Sequence, residues 1–225
     1  MKIAILGSAP SSNLLAPFSD KSWDIWACSP ANAGQLPRVD SWFEIHDMER
    51  LLRDPGYGGY MLFLRSQPLV YMLEKHPKFP TSVRYPIEEI RPQFCWDFFT
   101  SSVAYMLALA ISREPTHIGL WGIDMSGDEE YTQQRAGCKY FIDIARQRGI
   151  EIVVPKESDL LSVFPPYAYR EIDPTWVKLN TRMKELDAEI ESLQGRIASD
   201  SKKLTAYLGA RDMLEWVLRA HVKVW

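Results

Sequence analysis

No two cysteines in this sequence are close enough to form a CxxC. The three present, Cys28, Cys95 and Cys138, are an odd number and widely spaced. That excludes a disulfide framework and a cysteine-built zinc site, and they are expected to be reduced and partly buried. Histidine is scarce too, at four residues, and no HxxxH or HExxH occurs. Metalloprotease chemistry therefore has no ligand set. There is no GxSxG, so the nucleophile elbow of a serine hydrolase is missing. Neither GxGxxG nor a Gly-Lys-Ser/Thr loop is spelled out, so the usual dinucleotide and Walker fingerprints are absent. No apolar run approaches the ~18 residues needed to span a bilayer. The opening MKIAIL is too short for a signal peptide, and a cytoplasmic protein is expected. Charge of one sign is lacking as well: the formal net charge is −3 over 225 residues. Nothing there provides a strong electrostatic grip on nucleic acid.

The remainder suits a globular chain with ample core: 46% of residues are hydrophobic and 24% charged. Short apolar runs ending in small or polar residues recur along the first two thirds. Residues 2–6, 23–29, 41–47, 69–72, 82–85, 117–124 and 150–155 read as strands. A short helix is expected around Ser11–Ala16, and a helical turn or two in "MERLLRD". The stretch 55–95, rich in glycine and proline, reads as mostly loop apart from its two strands. In "FFTSSVAYMLALAISREP" apolar residues stand at 103, 106, 107, 110 and 111, the spacing of a packed helix. Thr100 or Ser101 caps it and Pro115 stops it. Another helix is expected from about Tyr131 to Arg148, and a final short one in "KESDLLS". Strands alternating with helices predict an α/β fold: a Rossmann-like, mostly parallel sheet with helices on both faces, over residues 1–165.

After a linker at 166–174 the pattern changes. Trp176, Leu179, Met183, Leu186, Ile190, Leu193 and Ile197 alternate spacings of three and four, a heptad repeat with Leu204 in register after a gap. A second amphipathic stretch holds Leu208, Leu214, Val217, Leu218 and Val222. Ser199-Asp200-Ser201 is either a turn between two helices or a polar patch on one. Residues 175–225 are thus expected to form a helical, coiled-coil extension, and a homo-oligomer through 175–222 is the partner it implies. The alternative is a helix that packs on its own domain.

In a parallel sheet, ligands bind where strands end and the following helices present their N-termini. That rule selects Gly7, Ser8 and Ser11 after the first strand, Ser29 and Asn32 after the second, and His46 with Asp47 after the third. It also selects Thr100, Ser101 and Ser102 at a helix start, Asp124 after the strand at 117, and Gln134 with Arg135 on the next helix. Small residues and hydroxyls at helix starts suit a phosphate or ribose, and they equally serve as turns and caps. A carboxylate at a strand end can hold Mg2+ beside phosphates. Arg135 can pair a phosphate bidentately, or bridge to a carboxylate. The acidic run Asp128-Glu129-Glu130 reads as a solvated loop.

These segments carry a resemblance. "KIAILGSAPSS", "DIWACS", "TSSVAYMLALAISREPTHIGLWGIDM" and "GIEIVVPKESDLL" resemble the superfamily of family 42 bacterial sialyltransferases and archaeal 6-hydroxymethylpterin pyrophosphokinase-like proteins. The resemblance covers residues 1–165. The compact form, the Tyr-x-x-Gln-Arg segment at 131–135 and the tail look like short proteins of tailed bacteriophages, which implies a host cytoplasm. Ala9 stands where the family's first loop has its second glycine, Ser102 replaces a glycine, and 125–137 holds no histidine where the sialyltransferases carry a general base.

The resemblance implies a nucleotide or sugar nucleotide as partner and a glycosyl or pyrophosphoryl transferase as activity. Ser8 and Ser11 would then hold phosphate or ribose, Ser29 and Asn32 the base or sugar, and Thr100–Ser102 the phosphates. Asp124 would take Mg2+ or a ribose hydroxyl, and Gln134 and Arg135 the acceptor side. No organic cofactor is expected. A non-catalytic nucleotide-sequestering protein and an assembly protein worked by its tail are the alternatives.

Overall fold

The structure, a computed structural model, describes residues 1–125, 129–161 and 174–221, without the side chains of 50, 129–132, 174–176 and 221. The chain divides into two compact units, Met1–Val163 and Phe164–Trp225.

The first unit is built on seven parallel strands. They are β1 (Lys2–Leu6), β2 (Trp23–Cys28), β3 (Ser41–Glu44), β4 (Val70–Met72), β5 (Ser82–Arg84), β6 (His117–Trp121) and β7 (Glu151–Val153), in the order β5-β4-β3-β2-β1-β6-β7. Every pairing is parallel. Helices α1 (Met48–Arg53), α2 (Gly58–Ser66), α3 (Ile87–Ile90), α4 (Ser102–Ser112) and α5 (Glu129–Gln147) join them.

The apolar runs of the strands follow from burial on both sheet faces. Side chains alternate across the sheet. Ile3 and Ile5 enter one core with Trp26, Phe43 and the buried residues of α4 and α5. Ala4 and Leu6 enter the other with Ile25, Trp42 and, from α2, Met61 and Leu64. Helix α4 buries Val103, Ala104 and everything from Met106 to Ile111, because it lies against the sheet and α5 together. That is why its sequence is apolar almost all round.

Three local expectations are corrected. Ser11–Ala16 forms only a 3-10 turn, Asn13–Leu15, because Ser12 turns its hydroxyl inward to the backbone N–H of Gly122. The 55–95 stretch is more helical than its prolines and glycines suggest. Gly58 and Gly59 open α2, whose Tyr60, Met61 and Leu64 are buried, and α3 follows β5. "KESDLLS" is not helical over its described residues. The Ser158 hydroxyl donates to the Ile123 carbonyl at 2.6 Å and accepts from the Leu160 N–H, while Arg135 on α5 takes the carbonyls of Asp159 and Leu160. Of the acidic run expected as a loop, Glu129 and Glu130 instead open α5, while Asp128 and residues 166–173 of the linker lie outside the described residues.

The described residues of the second unit form one helix, α6 (Pro174–His221), of 48 residues. It runs without a break through Ser199-Asp200-Ser201, so those residues are a polar patch on one helix. Among the described residues no helix is long and apolar enough to cross a membrane.

Candidate functional site at the switch point of the sheet

The chain leaves β1 for β2 and builds outward to β5. It then returns through α4 to place β6 on the opposite side of β1. The connections therefore reverse direction between β1 and β6, and in open parallel sheets such a reversal is where a ligand crevice forms, outside the carboxyl ends of the strands. Two loops meet there: residues 7–12 after β1 and 122–125 after β6.

They are stitched together by backbone. Gly7 N–H donates to the Trp121 carbonyl at 2.9 Å and Ala9 N–H to the Gly122 carbonyl at 2.8 Å. A Cβ on Gly7 would stand 2.4 Å from the Gly122 oxygen, and one on Gly122 would stand 2.5 Å from the Gly7 oxygen. Gly122 also has φ +64, the left-handed region that glycine enters without penalty. Gly7 is thus required by the neighbouring strand's loop, whatever the loop binds. Two non-glycine residues have positive φ at this edge: Ser29, just after β2, at φ 79 and Met125 at φ 50. Such sparsely populated backbone costs about 1–3 kcal/mol per residue, so the surrounding contacts must hold it.

Across this junction the Ser11 hydroxyl donates to Asp124 Oδ1 at 2.9 Å. Both side chains are half-buried, and Ser8 on the same loop is exposed. Asn32, after β2, is buried at 1% exposure. Its amide donates to the carbonyls of Gly7 and Cys28, both at 2.9 Å, and its oxygen accepts from Asn13 at 3.4 Å. It is a strut under the first loop.

The helix-start hydroxyls divide their tasks. Ser101 is the N-cap of α4, accepting from the Ala104 N–H at 3.2 Å, and its hydroxyl lies 3.9 Å from the Cys138 thiol. Thr100 donates to the Gln133 carbonyl of α5 at 3.2 Å, and Ser102 is the first residue of α4. Gly137 permits this approach: a Cβ there would meet the Thr100 hydroxyl at 2.3 Å. On α5, Gln134 is half-buried. Arg135 donates from Nε to the Leu160 carbonyl at 3.1 Å and from Nη2 to that of Asp159 at 2.8 Å. The structure brings Gly7, Ser11, Asn32 and Asp124 into one junction. It turns the groups at 100, 101 and 135 toward α4, α5 and the turn after β7.

The two buried thiols are not nucleophiles here. Burial pushes both Cys28 and Cys138 up to about 12, with Glu44 adding to the effect at Cys28.

One cluster escaped sequence reasoning. Glu44, the last residue of β3, is 2% exposed. Its Oε2 accepts from the Tyr60 hydroxyl at 2.5 Å, and that hydroxyl accepts from Trp42 Nε1 at 2.9 Å. Its Oε1 lies 2.6 Å from Nδ1 of His46, whose side chain is 64% exposed. Burial, with Glu44 beside it, pushes the Tyr60 hydroxyl well above its usual range, so it stays a donor. His46 is therefore paired with Glu44. Asp47 caps α1 by accepting from the Glu49 N–H at 2.9 Å. A glutamate at the end of an otherwise buried strand was the available signal. The tyrosine that holds it comes from a segment that reads as loop.

Among the described residues, no group of three or more His, Cys, Asp or Glu side chains is placed to hold a metal. Asp124 supplies a hard carboxylate oxygen. That fits Mg2+ only in the mode where one or two protein carboxylates share the ion with phosphates and water.

No family model matches the chain, and no curated protein matches it in sequence. Among solved structures it is similar to the Campylobacter jejuni sialyltransferase CstII in complex with a substrate analogue, cytidine-5'-monophosphate. The identity is 16%, the TM-score 0.45, and the match covers 68% of this chain and 78% of that one. It is also similar to the monofunctional α-2,3-sialyltransferase Cst-I of Campylobacter jejuni, at 14% identity and TM-score 0.46, over 84% of this chain and 95% of that one. Thiamine pyrophosphokinase from Bacillus subtilis matches at 12% identity and TM-score 0.42, over 69% and 60%. The neighbours are thus family 42 sialyltransferases and a pyrophosphokinase. At these values the likeness assigns neither ligand nor activity to this chain.

Proposed function

We propose that residues 1–165 bind a nucleotide or sugar nucleotide at the crevice between β1 and β6 and act as a glycosyl or pyrophosphoryl transferase. The observation that carries the reading is the Ser11–Asp124 hydrogen bond. It joins a small-residue loop and a strand-end carboxylate at the one place where the sheet reverses its connections. In this reading Ser8 and Ser11 hold phosphate or ribose hydroxyls, and Ser29 lines the base or sugar side. Asp124 binds a ribose hydroxyl or shares Mg2+ with the phosphates. The metal's contribution would be charge neutralisation on the transferred group. Thr100–Ser102 offer the start of α4 to phosphate oxygens, and Gln134 stands toward the acceptor. α6 serves as the self-association element.

A second reading, binding without turnover, is favoured by Arg135. Two of its guanidinium nitrogens are engaged by main-chain carbonyls, which leaves Asp124 as the principal candidate for chemistry. A nucleotide-sequestering role would suit the bacteriophage resemblance of the sequence.

The test is a thermal-shift screen of nucleotides and sugar nucleotides, with and without Mg2+, on the parent and on Asp124→Ala. A ligand at about a thousand times its Kd stabilises by about 4 kcal/mol. A shift in the parent that is lost in Asp124→Ala supports the site. Product formation separates the two readings. If no ligand shifts the parent, the site fails.

A further inference from the structure

The unbroken course of α6 changes what its heptads mean. With no turn at 199–201, one register runs the whole helix. The a and d positions of the first half continue as Leu204, Tyr207, Leu214 and Leu218, all exposed. Gly195 and Gly209 both fall at f, opposite this seam. Only two charges interrupt it between Leu179 and Leu218: Asp200 at a d position and Arg211 at an a position.

We infer that α6 pairs with α6 of a second copy in antiparallel orientation, about a two-fold axis between residues 205 and 206. The inference rests on the proposal that α6 self-associates. In an antiparallel pair, each a layer faces a d layer. This axis sets Leu193 against Leu218 of the second copy, Ile197 against Leu214, Leu204 against Tyr207, and Asp200 against Arg211. Every apolar residue in these layers meets another. The seam's acid meets its base, twice by symmetry.

Other arrangements do worse by charge. A parallel in-register pair stacks Asp200 on Asp200 and Arg211 on Arg211. An antiparallel axis displaced by one heptad layer sets Asp200 against Leu204 and Arg211 against Leu193, burying each charge without a partner. The present pairs of Asp200 with Lys203, and of Arg211 with Asp212 and Glu215, are exposed intrahelical contacts. Such contacts are worth little and are readily exchanged. The register leaves Leu179, Met183 and Leu186 outside the overlap, at the end of α6 that follows the sheet domain.

The full chain tests this in three steps. Its mass by light scattering should be that of a dimer; a monomer overturns both self-association and the antiparallel seam. Asp200→Arg and Arg211→Asp should each weaken the dimer at least tenfold, and the double exchange should restore it. In a parallel dimer each exchange only swaps one like-charge layer for another, so a dimer without rescue overturns the register and leaves self-association standing. Finally, a nitroxide on Ser192→Cys in a Cys95→Ser background should report about 40 Å between copies. That follows from 27 residues of offset at about 1.5 Å per residue. A distance under about 20 Å means a parallel pair and overturns the inference.

Discussion

The Ser11 hydroxyl and the Asp124 carboxylate, 113 residues apart in the chain, are hydrogen-bonded at 2.9 Å across the point where the sheet changes direction. The bond ties the loop after β1 to the end of β6. It also orients the carboxylate that the proposed ligand meets. Ser11→Ala removes this constraint while leaving Asp124 in place. It is expected to weaken nucleotide binding about tenfold, the loss of roughly 1.4 kcal/mol from one hydrogen bond to a charged group. Titration calorimetry against the best ligand from the thermal screen measures it. Unchanged affinity would place the ligand elsewhere.

Gly7→Ala should destabilise the fold independently of any ligand. The new methyl would stand 2.4 Å from the Gly122 oxygen and 2.9 Å from Ile123 Cγ1, and the first of these is backbone that cannot rotate away. Overpacking of this kind costs about 1–3 kcal/mol. Urea denaturation of the variant reads the loss as a lower midpoint.

Tyr60→Phe should cost about 1–3 kcal/mol. Removing the hydroxyl leaves Trp42 Nε1 without its acceptor and Glu44 Oε2 without its donor, both in a buried cluster. Glu44→Gln is the companion variant. If Tyr60→Phe unfolds at the parent's denaturant midpoint, the cluster is not a structural element.

Thiol chemistry should follow burial. At pH 8 in the folded protein Cys95, which is exposed, reacts with a disulfide reagent, while Cys28 and Cys138, pushed up to about 12, react only after denaturation. The same shifts predict alkaline sensitivity. Both thiols are raised in the folded state above their ordinary 9.0, so the stability they contribute is intact below pH 9. It is lost as pH rises from 9 toward 12, because the unfolded chain ionises first. Thiol release counted against pH, with and without denaturant, checks both statements. Early reaction of three thiols in the folded chain would contradict them.

The α/β character and the parallel sheet were legible in residues 1–125, because the central strands, buried on both faces, are apolar along their length, and β1, β2 and β6 run directly into small residues. The candidate positions at 7–12 and 124 were legible for the same reason: strand ends in a parallel sheet all face one edge. α2 was not legible. Its two opening glycines, Gly58 and Gly59, and the prolines flanking it at 55 and 68 lower local propensity, and burial of Tyr60, Met61 and Leu64 overrides it.

What the sequence determined by itself is therefore periodicity: where apolar side chains recur, which elements they build, and that 179–218 carries a seam. Tertiary structure decided the use of the polar groups whose partners lie on other elements. Asn32 and Arg135 have the right chemistry for a ligand, and the fold engages them with carbonyls from other elements. Glu44 acquired Tyr60 as a partner only when α2 packed beside β3. These hydrogen bonds depend on distances between residues far apart in the chain. Hydrophobic periodicity depends only on the repeat of the local backbone, so it can be read from the sequence before the chain folds.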